Sequence, residues 1–401
     1  SFPDAISYAK KRISCLEKLP QTEDVLKKLI DARTILALYM FQLFYFAEAK
    51  EAVDPIIELA ENSGYKKRLA QIYTIIGAYE CYVKEDFFKA SKYLQDAIKI
   101  SGEVKDIVSL FFANVWFGYN LYYDCEFEKA IYHFEKALDI NVAKNNLWGI
   151  SAMKAALSLT FNQQGKLNLS YEASNEALRA AEESGDIYSK ACAYTVRGMN
   201  WFLMGNFEKA EEYLLKGMNL GNRINWFMLT AEAHAFLGDT YFTVGEYQKS
   251  KEHHKKAVSF IEQNGILPSW MNLNRIGAAR ATVMKNKKGI DLKSLYGYVD
   301  NNKVKLYDGW VRRYIGEILL NIDDRHVDEA KDWIKKAIEA DKRNGMMFNL
   351  ARDYGLYAEL FKRKGNLSRV KESLNKAIEI FRECGADGWV EKAKNELVSA
   401  S

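Results

Sequence analysis

Hydrophobic and polar positions along this chain repeat at a spacing of 40 residues. An aromatic or apolar residue returns at each step, and small or slim residues follow three and ten positions later. One step of the series, at Lys287, has lost the apolar residue. Such a period predicts stacked repeats, each of which buries its apolar face against its neighbours. The apolar positions, called slot positions below, are Phe87, Phe127, Leu167, Phe207, Tyr247, Val327 and Leu367.

Within one repeat the pattern predicts two helices joined by a glycine turn. Residues 231–242 carry apolar side chains at helical spacing, and Gly245 can take the positive φ that ends a helix. Tyr247 then opens a second helix that extends to Ile261. The small residues allow the two helix axes to approach to about 8–10 Å. The predicted fold class is therefore all-α, a right-handed superhelical solenoid of stacked antiparallel helix pairs.

The residues Leu237-Gly238, Tyr241, Gly245, Tyr247 and Ser250 resemble the tetratricopeptide repeat in a form of about 40 residues. Related patterns recur along nearly the whole chain. The resemblance implies a scaffold that binds partners along its first helices. It does not identify the partner, because this fold serves many functions.

The two ends of the array give different expectations. Residues 1–21 read as a partial repeat that opens on a second helix, 22–385 as about nine helix pairs, degenerate near 285–305, and 386–401 as a capping helix. This start predicts that the chain is the C-terminal part of a longer protein; the alternative is a simple N-terminal cap. Residues 385–397 resemble the end of tetratricopeptide sensor regions in bacterial signalling ATPases and MalT-like activators. That resemblance implies a sensor whose upstream domains switch.

Aligning the repeats on the slot positions places a set of aromatic and polar residues on the inner face of the array. An aromatic wall followed by polar groups suits a peptide or an apolar helix. The alternative is that these aromatic residues only pack neighbouring repeats together. The known lysine clamp for chaperone C-termini is not expected, because its positions, Gly355 among them, hold no lysine. The candidate binding residues are Tyr79, Tyr82, Trp116, Tyr119, Tyr123, Asn162, Phe202, Asp239 and Phe242.

The degenerate segment, residues 280–313, has nine basic and three acidic residues, a local charge of +6. A positive patch here would suit a phosphate, an acidic partner or nucleic acid. The alternative is an ordinary solvated loop. The candidate patch residues are Lys287, Lys288, Lys293, Arg312 and Arg313.

Composition and the motifs that are missing argue against several classes of function. The net charge of +4, from 57 basic and 53 acidic residues, argues against a general nucleic-acid binder. Five scattered cysteines fit a reduced cytoplasmic protein, and no apolar run is long enough to span a bilayer. No nucleotide-binding, hydrolase or metalloprotease motif occurs, so we expect neither catalysis nor a cofactor or metal.

Three functions remain open. The leading hypothesis is a sensor region of a signalling or transcription-regulating protein that binds a protein, a peptide or a small-molecule inducer in its groove and signals to upstream domains of the same chain. The second is a passive interaction scaffold. The third is a peptide-pheromone receptor, which uses similar repeats.

Overall fold

The computed structural model describes residues 2–285 and 289–399, and within these ranges the secondary structure is helical, without strands. The chain divides into two compact units, Ser1–Lys144 and Asn145–Ser401. The all-α fold of adjacent, stacked helix pairs is confirmed. No helix in the described ranges has both the length and the hydrophobicity that crossing a bilayer requires.

The first unit contains eight α-helices within its described residues. A 3-10 turn at Asp54–Ile56, which contains Pro55, separates α3 from α4, as expected for a residue that cannot continue a helix. A π-helical turn at Glu80–Lys84 follows α5. The helices are α1 (Phe2–Leu16), α2 (Glu23–Gln42), α3 (Phe46–Val53), α4 (Ile57–Asn62), α5 (Lys66–Tyr79), α6 (Phe87–Glu103), α7 (Ile107–Tyr123) and α8 (Phe127–Val142).

The second unit continues the same alternation and ends on a single helix. Its helices are α9 (Leu147–Gln164), α10 (Leu167–Ser184), α11 (Ile187–Met204), α12 (Phe207–Arg223), α13 (Phe227–Thr243), α14 (Tyr247–Asn264), α15 (Pro268–Val283), α16 (Leu292–Asp300), α17 (Lys305–Ile322), α18 (Val327–Arg343), α19 (Met347–Arg363), α20 (Leu367–Cys384) and α21 (Asp387–Ser399).

Every slot position is the first residue of the second helix of its pair. The small residues three and ten positions later are buried at the contact between the paired helices; Ala90, Ala130, Ala137 and Ala257, for example, have no exposed surface. Larger side chains there would push the helices apart. The 40-residue period is thus the spacing between successive second helices.

The irregular repeat differs from its neighbours in its second helix. Lys287, the degenerate slot position, lies outside the described residues. The helix that follows, α16, has nine residues, whereas the other second helices of this unit have 17 or 18. This repeat therefore has a shorter second helix than the others in the unit.

The second unit closes on itself. Helix α19 contacts α9, and α21 contacts α11. At the second of these contacts Gly205 and Gly388 lie so close that a Cβ added to Gly388 would be 2.7 Å from the Gly205 carbonyl oxygen. Because α21 returns to the start of the unit, the first helices of the later repeats and α21 together line a partly open space.

Candidate ligand-binding cavity

A cavity of about 450 Å³ lies inside the second unit. The first helices α13, α15, α17 and α19 form one part of its wall, and α20 and α21 form the other. The lining combines aromatic and aliphatic side chains with several charged groups. The residues on which the function proposed below depends are Phe242, Arg280, Arg352, Leu356, Trp389 and Lys392.

Trp389 fixes the position of α21 in this wall. Its ring contacts Phe202 and Phe348 edge-on at 5.7 and 5.6 Å and stacks on Phe381 at 5.7 Å. Its Nε1 donates a hydrogen bond of 2.9 Å to the backbone carbonyl of Phe202. A large aromatic residue that satisfies its polar atom contributes strongly to packing. The packing and the hydrogen bond of Trp389 therefore hold α21 against α11 and α20.

Arg280 belongs to a satisfied charge network on one side of the cavity. Its Nε donates to Glu317 at 2.7 Å, and its Nη1 lies 3.3 Å from Asp239 Oδ1. The guanidinium stacks on the ring of Phe242 at 3.3 Å, and Tyr314 donates to the same Asp239 oxygen. Burial alone would lower the pKa of Arg280, but the Glu317 and Asp239 carboxylates raise it.

Arg313 is buried in a second network. It donates to Asp353 Oδ1 at 3.1 Å and to Asn349 Oδ1 at 3.0 Å, and it lies 3.6 Å from Asp341. Burial raises the pKa of Asp353 to about 6, and burial together with Asp353 raises that of Asp341 well above its usual range. Both carboxyl groups are therefore harder to ionise than an exposed aspartate, and both lie beside the buried charge of Arg313.

Two cations on the cavity wall have no such partner. Arg352, which is half-buried, and Lys392 make no hydrogen bond and no ion pair with the described part of the chain; both lie near the ring of Trp389, at 5.2 and 5.5 Å from its centroid. Burial, with the charge of Arg313, lowers the pKa of Arg352 to about 10. Lys392 is exposed on α21. Desolvation of its ammonium beside the cavity wall, with the charges of Arg352 and Arg280, lowers its pKa despite the opposing effect of Glu396.

Four of the predicted binding residues fall in the second unit, at different depths. Phe242 lines the cavity, whereas Asp239 is buried behind it in the Arg280 network. Phe202 is buried under Trp389, and Asn162 accepts a hydrogen bond of 2.9 Å from Asn200 on the next first helix. Only Phe242 is placed to touch a ligand in this cavity. For the other three a binding role stays a prediction.

The five predicted aromatic residues of the first unit lie in or beside one packed cluster. Trp116 and Tyr82 are buried, 5.4 Å apart between ring centroids, and Tyr82 is 5.6 Å from the buried Tyr123. Tyr119 is half-buried against Trp116 at 6.1 Å, and the half-buried Tyr79 has Lys50 over its ring. Most of these surfaces are occupied by other rings. The wall they were predicted to form stays a prediction.

The residues of the predicted basic patch have different surroundings. Lys287 and Lys288 lie outside the described residues, and Lys293 is exposed on α16. Arg312 is half-buried and pairs with Asp308, and Arg313 is in the interior network described above. Of the three described residues, only Lys293 offers an exposed charge.

The sequence did not predict a binding role for Lys392, and it predicted Trp389 only as part of the apolar face of the last helix. The periodicity of α21 shows which face is apolar but not which distant helix that face meets. The unpaired cation Arg352 is visible as a charge on a first helix, yet its lack of a partner depends on residues far away in sequence.

Comparisons with known proteins agree with this architecture. Residues 231–264 match the tetratricopeptide repeat family, and no curated protein sequence matches the chain. The Rap conjugation gene regulator of the plasmid pLS20, solved in complex with the Phr* peptide, aligns with a TM-score of 0.59 at 14% identity, over 86% of this chain and 95% of that chain.

Two further solved structures of different proteins also align with this chain. A Rap protein complexed with competence and sporulation factor aligns with a TM-score of 0.52 at 11% identity, over 93% of this chain and 100% of that chain. A chain of the APC/C hetero-tetramer Cut9–Hcn1 aligns with a TM-score of 0.50 at 12% identity, over 100% of this chain and 88% of that chain. At such low identity, the likeness shows a shared fold.

Proposed function

We propose that this chain is a non-catalytic regulator that binds a peptide, or an extended segment of a protein partner, in the cavity between α13 and α21. The observation that carries the proposal is a walled cavity of about 450 Å³ in which Phe242, Leu356 and Trp389 lie beside the charged groups of Arg352 and Lys392. Ligand pockets of this kind occupy about 300–1,000 Å³ and combine apolar walls with a few polar groups.

A peptide suits this cavity better than a compact metabolite does. The lining runs across several repeats, from Phe242 on α13 to Glu396 on α21, and so offers separate places for successive side chains. The Rap conjugation gene regulator, which shares the fold, was solved with a peptide. This supports a peptide as the class of ligand for the present chain.

The part played by α21 favours the sensor over the passive scaffold. A ligand in the cavity would contact the first helices and α21 together, so its binding energy would differ between the docked and undocked positions of α21. A ligand shifts a conformational equilibrium only through such a difference. In this proposal, occupancy changes how firmly the last helix is held, and another domain or partner responds to that change.

The experiment fills the cavity without disturbing the fold. Gly355 lines the cavity in the interior of α19, and a Cβ added to it would meet nothing within 4 Å. Peptides selected from a displayed random heptapeptide library on the wild-type chain should lose at least about tenfold in affinity for Gly355→Phe. Gly102→Phe, at an equally open helical glycine in the first unit, is the matched control and should leave affinity unchanged.

Two results would count against the proposal: selection of no peptide, or equal binding by the wild-type chain and Gly355→Phe. Small-angle scattering with and without a selected peptide separates the two modes of action. The sensor predicts a change in the scattering profile on binding, whereas a passive scaffold predicts none.

A further inference from the structure

We infer that the cavity recognises a carboxylate of its ligand through the guanidinium of Arg352 and the ammonium of Lys392. This inference rests on the proposed function and specifies the chemistry of the peptide. A carboxylate here would be an aspartate or glutamate side chain or the C-terminal group of the peptide.

The three arginines that line the cavity differ in their counter-charges. Arg280 is paired with Glu317 and Asp239, and Arg313 is paired with Asp353 and Asp341. Arg352 has no corresponding acid, although it follows the same series of first helices. The protein thus supplies counter-charges for two arginines in this series and leaves the third without one.

An arginine without a paired acid inside a cavity wall carries an electrostatic cost. Arg352 is half-buried, and desolvation together with the like charges of Arg313 and Arg280 disfavours its charged form more than Tyr314 and Asp239 favour it. The lowered pKa values of Arg352 and Lys392 agree with this geometry. An arriving carboxylate would relieve the cost at Arg352, so it would be bound more tightly there than at an exposed cation. The exposed Lys392 would add a weaker attraction.

One aromatic side chain lies beside both cations. Trp389 lies 5.2 Å from the Arg352 guanidinium and 5.5 Å from the Lys392 ammonium, so one aromatic ring adjoins both. Arginine can grip a carboxylate through two parallel hydrogen bonds, while lysine adds a mobile charge. The apolar ring and the nearby Leu356 would cover the aliphatic part of the same ligand residue.

The acids in the cavity do not already fill this role. Glu317 is engaged by Arg280, and Glu359 lies 3.6 Å from Arg363. Glu396, exposed on α21, also lines the cavity and makes no ion pair in the described structure, but its charge raises the pKa of Lys392 and so partly serves that lysine. Its carboxylate would repel a bound anion on its own side, which favours placement of the ligand carboxylate at Arg352.

The test uses three synthetic pentapeptide libraries, bound to the full chain and identified by mass spectrometry. One has random sequence with a free C-terminal acid, the second is the same mixture with a C-terminal amide, and the third is amidated and lacks Asp and Glu. We expect the third to be depleted at least about tenfold relative to the first. Loss already in the second library assigns the carboxylate to the C-terminus; retention there assigns it to a side chain.

Variants then locate the carboxylate. Arg352→Met should weaken binding of the selected acidic peptide at least about tenfold, Lys392→Met should weaken it less, and both should bind the third library as the wild-type chain does. Lys335→Met, at an exposed lysine of α18 outside the cavity lining, should change nothing. Because Arg352→Met removes an unpaired cation, its Tm should equal or exceed that of the wild type, which separates loss of binding from loss of fold.

The possible failures can be told apart. If all three libraries bind equally and Gly355→Phe abolishes that binding, the carboxylate inference is overturned and the proposed function stands. If acidic peptides bind but Arg352→Met and Lys392→Met retain full affinity, the assignment to these two residues is likewise overturned. If no library binds the wild-type chain, both the proposed function and this inference fail.

Discussion

Buried and half-buried polar side chains join neighbouring helices, both within a repeat and between repeats, and each has a specific partner. His133 on α8 shares a hydrogen bond of 2.8 Å with Asn114 on α7, and His254 on α14 shares one of 2.9 Å with Asn274 on α15. A buried imidazole of this kind is stable as the neutral form, because burial disfavours its charge. These histidines therefore contribute to stability only while they are unprotonated.

The contribution of His133 to the free energy of unfolding should depend on pH. Burial lowers its pKa from 6.5 to about 4, so below pH 6.5 the unfolded chain takes up a proton that the folded chain refuses. The stability it contributes is complete above pH 6.5 and is lost as the pH falls toward 4, by about 2 kcal/mol at pH 5. His133→Gln should remove this part of the change between pH 7 and pH 5, measured by hydrogen exchange of the α7 and α8 amides.

The control for this prediction is a direct titration. NMR signals of the His133 ring should move only near pH 4 in the folded chain. Titration near 6.5, or an unchanged pH dependence in His133→Gln, would contradict the account of a buried neutral imidazole.

Helix pairs are set at close range by residues without bulky side chains. A Cβ added to Gly198 would lie 2.6 Å from Leu214, and one added to Gly118 would lie 2.5 Å from Phe134, so second-helix side chains fill the space above first-helix glycines. Gly217 reverses the arrangement, since its added Cβ would lie 2.2 Å from Thr195 Oγ1 and 2.8 Å from the Thr195 nitrogen. Close packing here outweighs the poor helix propensity of glycine.

The same substitution should therefore have opposite effects in two helices. Gly217→Ala should destabilise the chain by about 1–2 kcal/mol, because overpacking against the Thr195 backbone exceeds the gain in helix propensity. Gly355→Ala, in the open interior of α19, should stabilise it by up to about 1 kcal/mol.

Thermal unfolding measures both changes, as a fall in Tm for the first variant and a rise for the second. Effects of the same sign at the two positions would show that helix propensity, and not the approach of the paired helices, controls these sites.

At the scale of the whole molecule, the decisive feature is the return of α21 to the start of the second unit. Gly388 and Gly205 meet backbone to backbone, and Trp389 is packed against residues of α11, α19 and α20. These contacts add α21 as a second wall to the cavity along the inner face of several repeats. It also brings Lys392 to the same aromatic ring as Arg352.

Gly388→Ala should release α21, since the added Cβ would lie 2.7 Å from the Gly205 carbonyl oxygen and neither backbone segment can yield easily. Limited trypsin digestion should then cleave after Arg382 or Lys392 at least about tenfold faster than in the wild type. Affinity for selected peptides should fall with it.

The matched control is Glu391→Ala, at an exposed position of the same helix. Its cleavage rate should be that of the wild type. Unchanged cleavage in Gly388→Ala would mean that the glycine contact does not hold the helix in place.

Local features of the fold follow from the sequence because they depend on neighbours within one repeat. The slot positions predict where second helices begin, and the small residues predict which surfaces meet. The residue type does not predict the backbone conformation of a turn when the flanking helices impose it. Glu85 and Cys125 adopt the positive φ that glycine takes before other slot positions, because the turn geometry is imposed by the two helices it connects.

Thus the sequence by itself determined an all-helical array of repeats, its period and the residues at which paired helices touch, since spacing of 3.6 residues per turn and small side chains act at short range. The tertiary structure alone decided that Trp116 and Tyr82 are packed among other rings, that Arg352 is left without an acid, and that α21 closes the cavity. Those outcomes depend on small rotations that accumulate from repeat to repeat, and no local pattern records their sum.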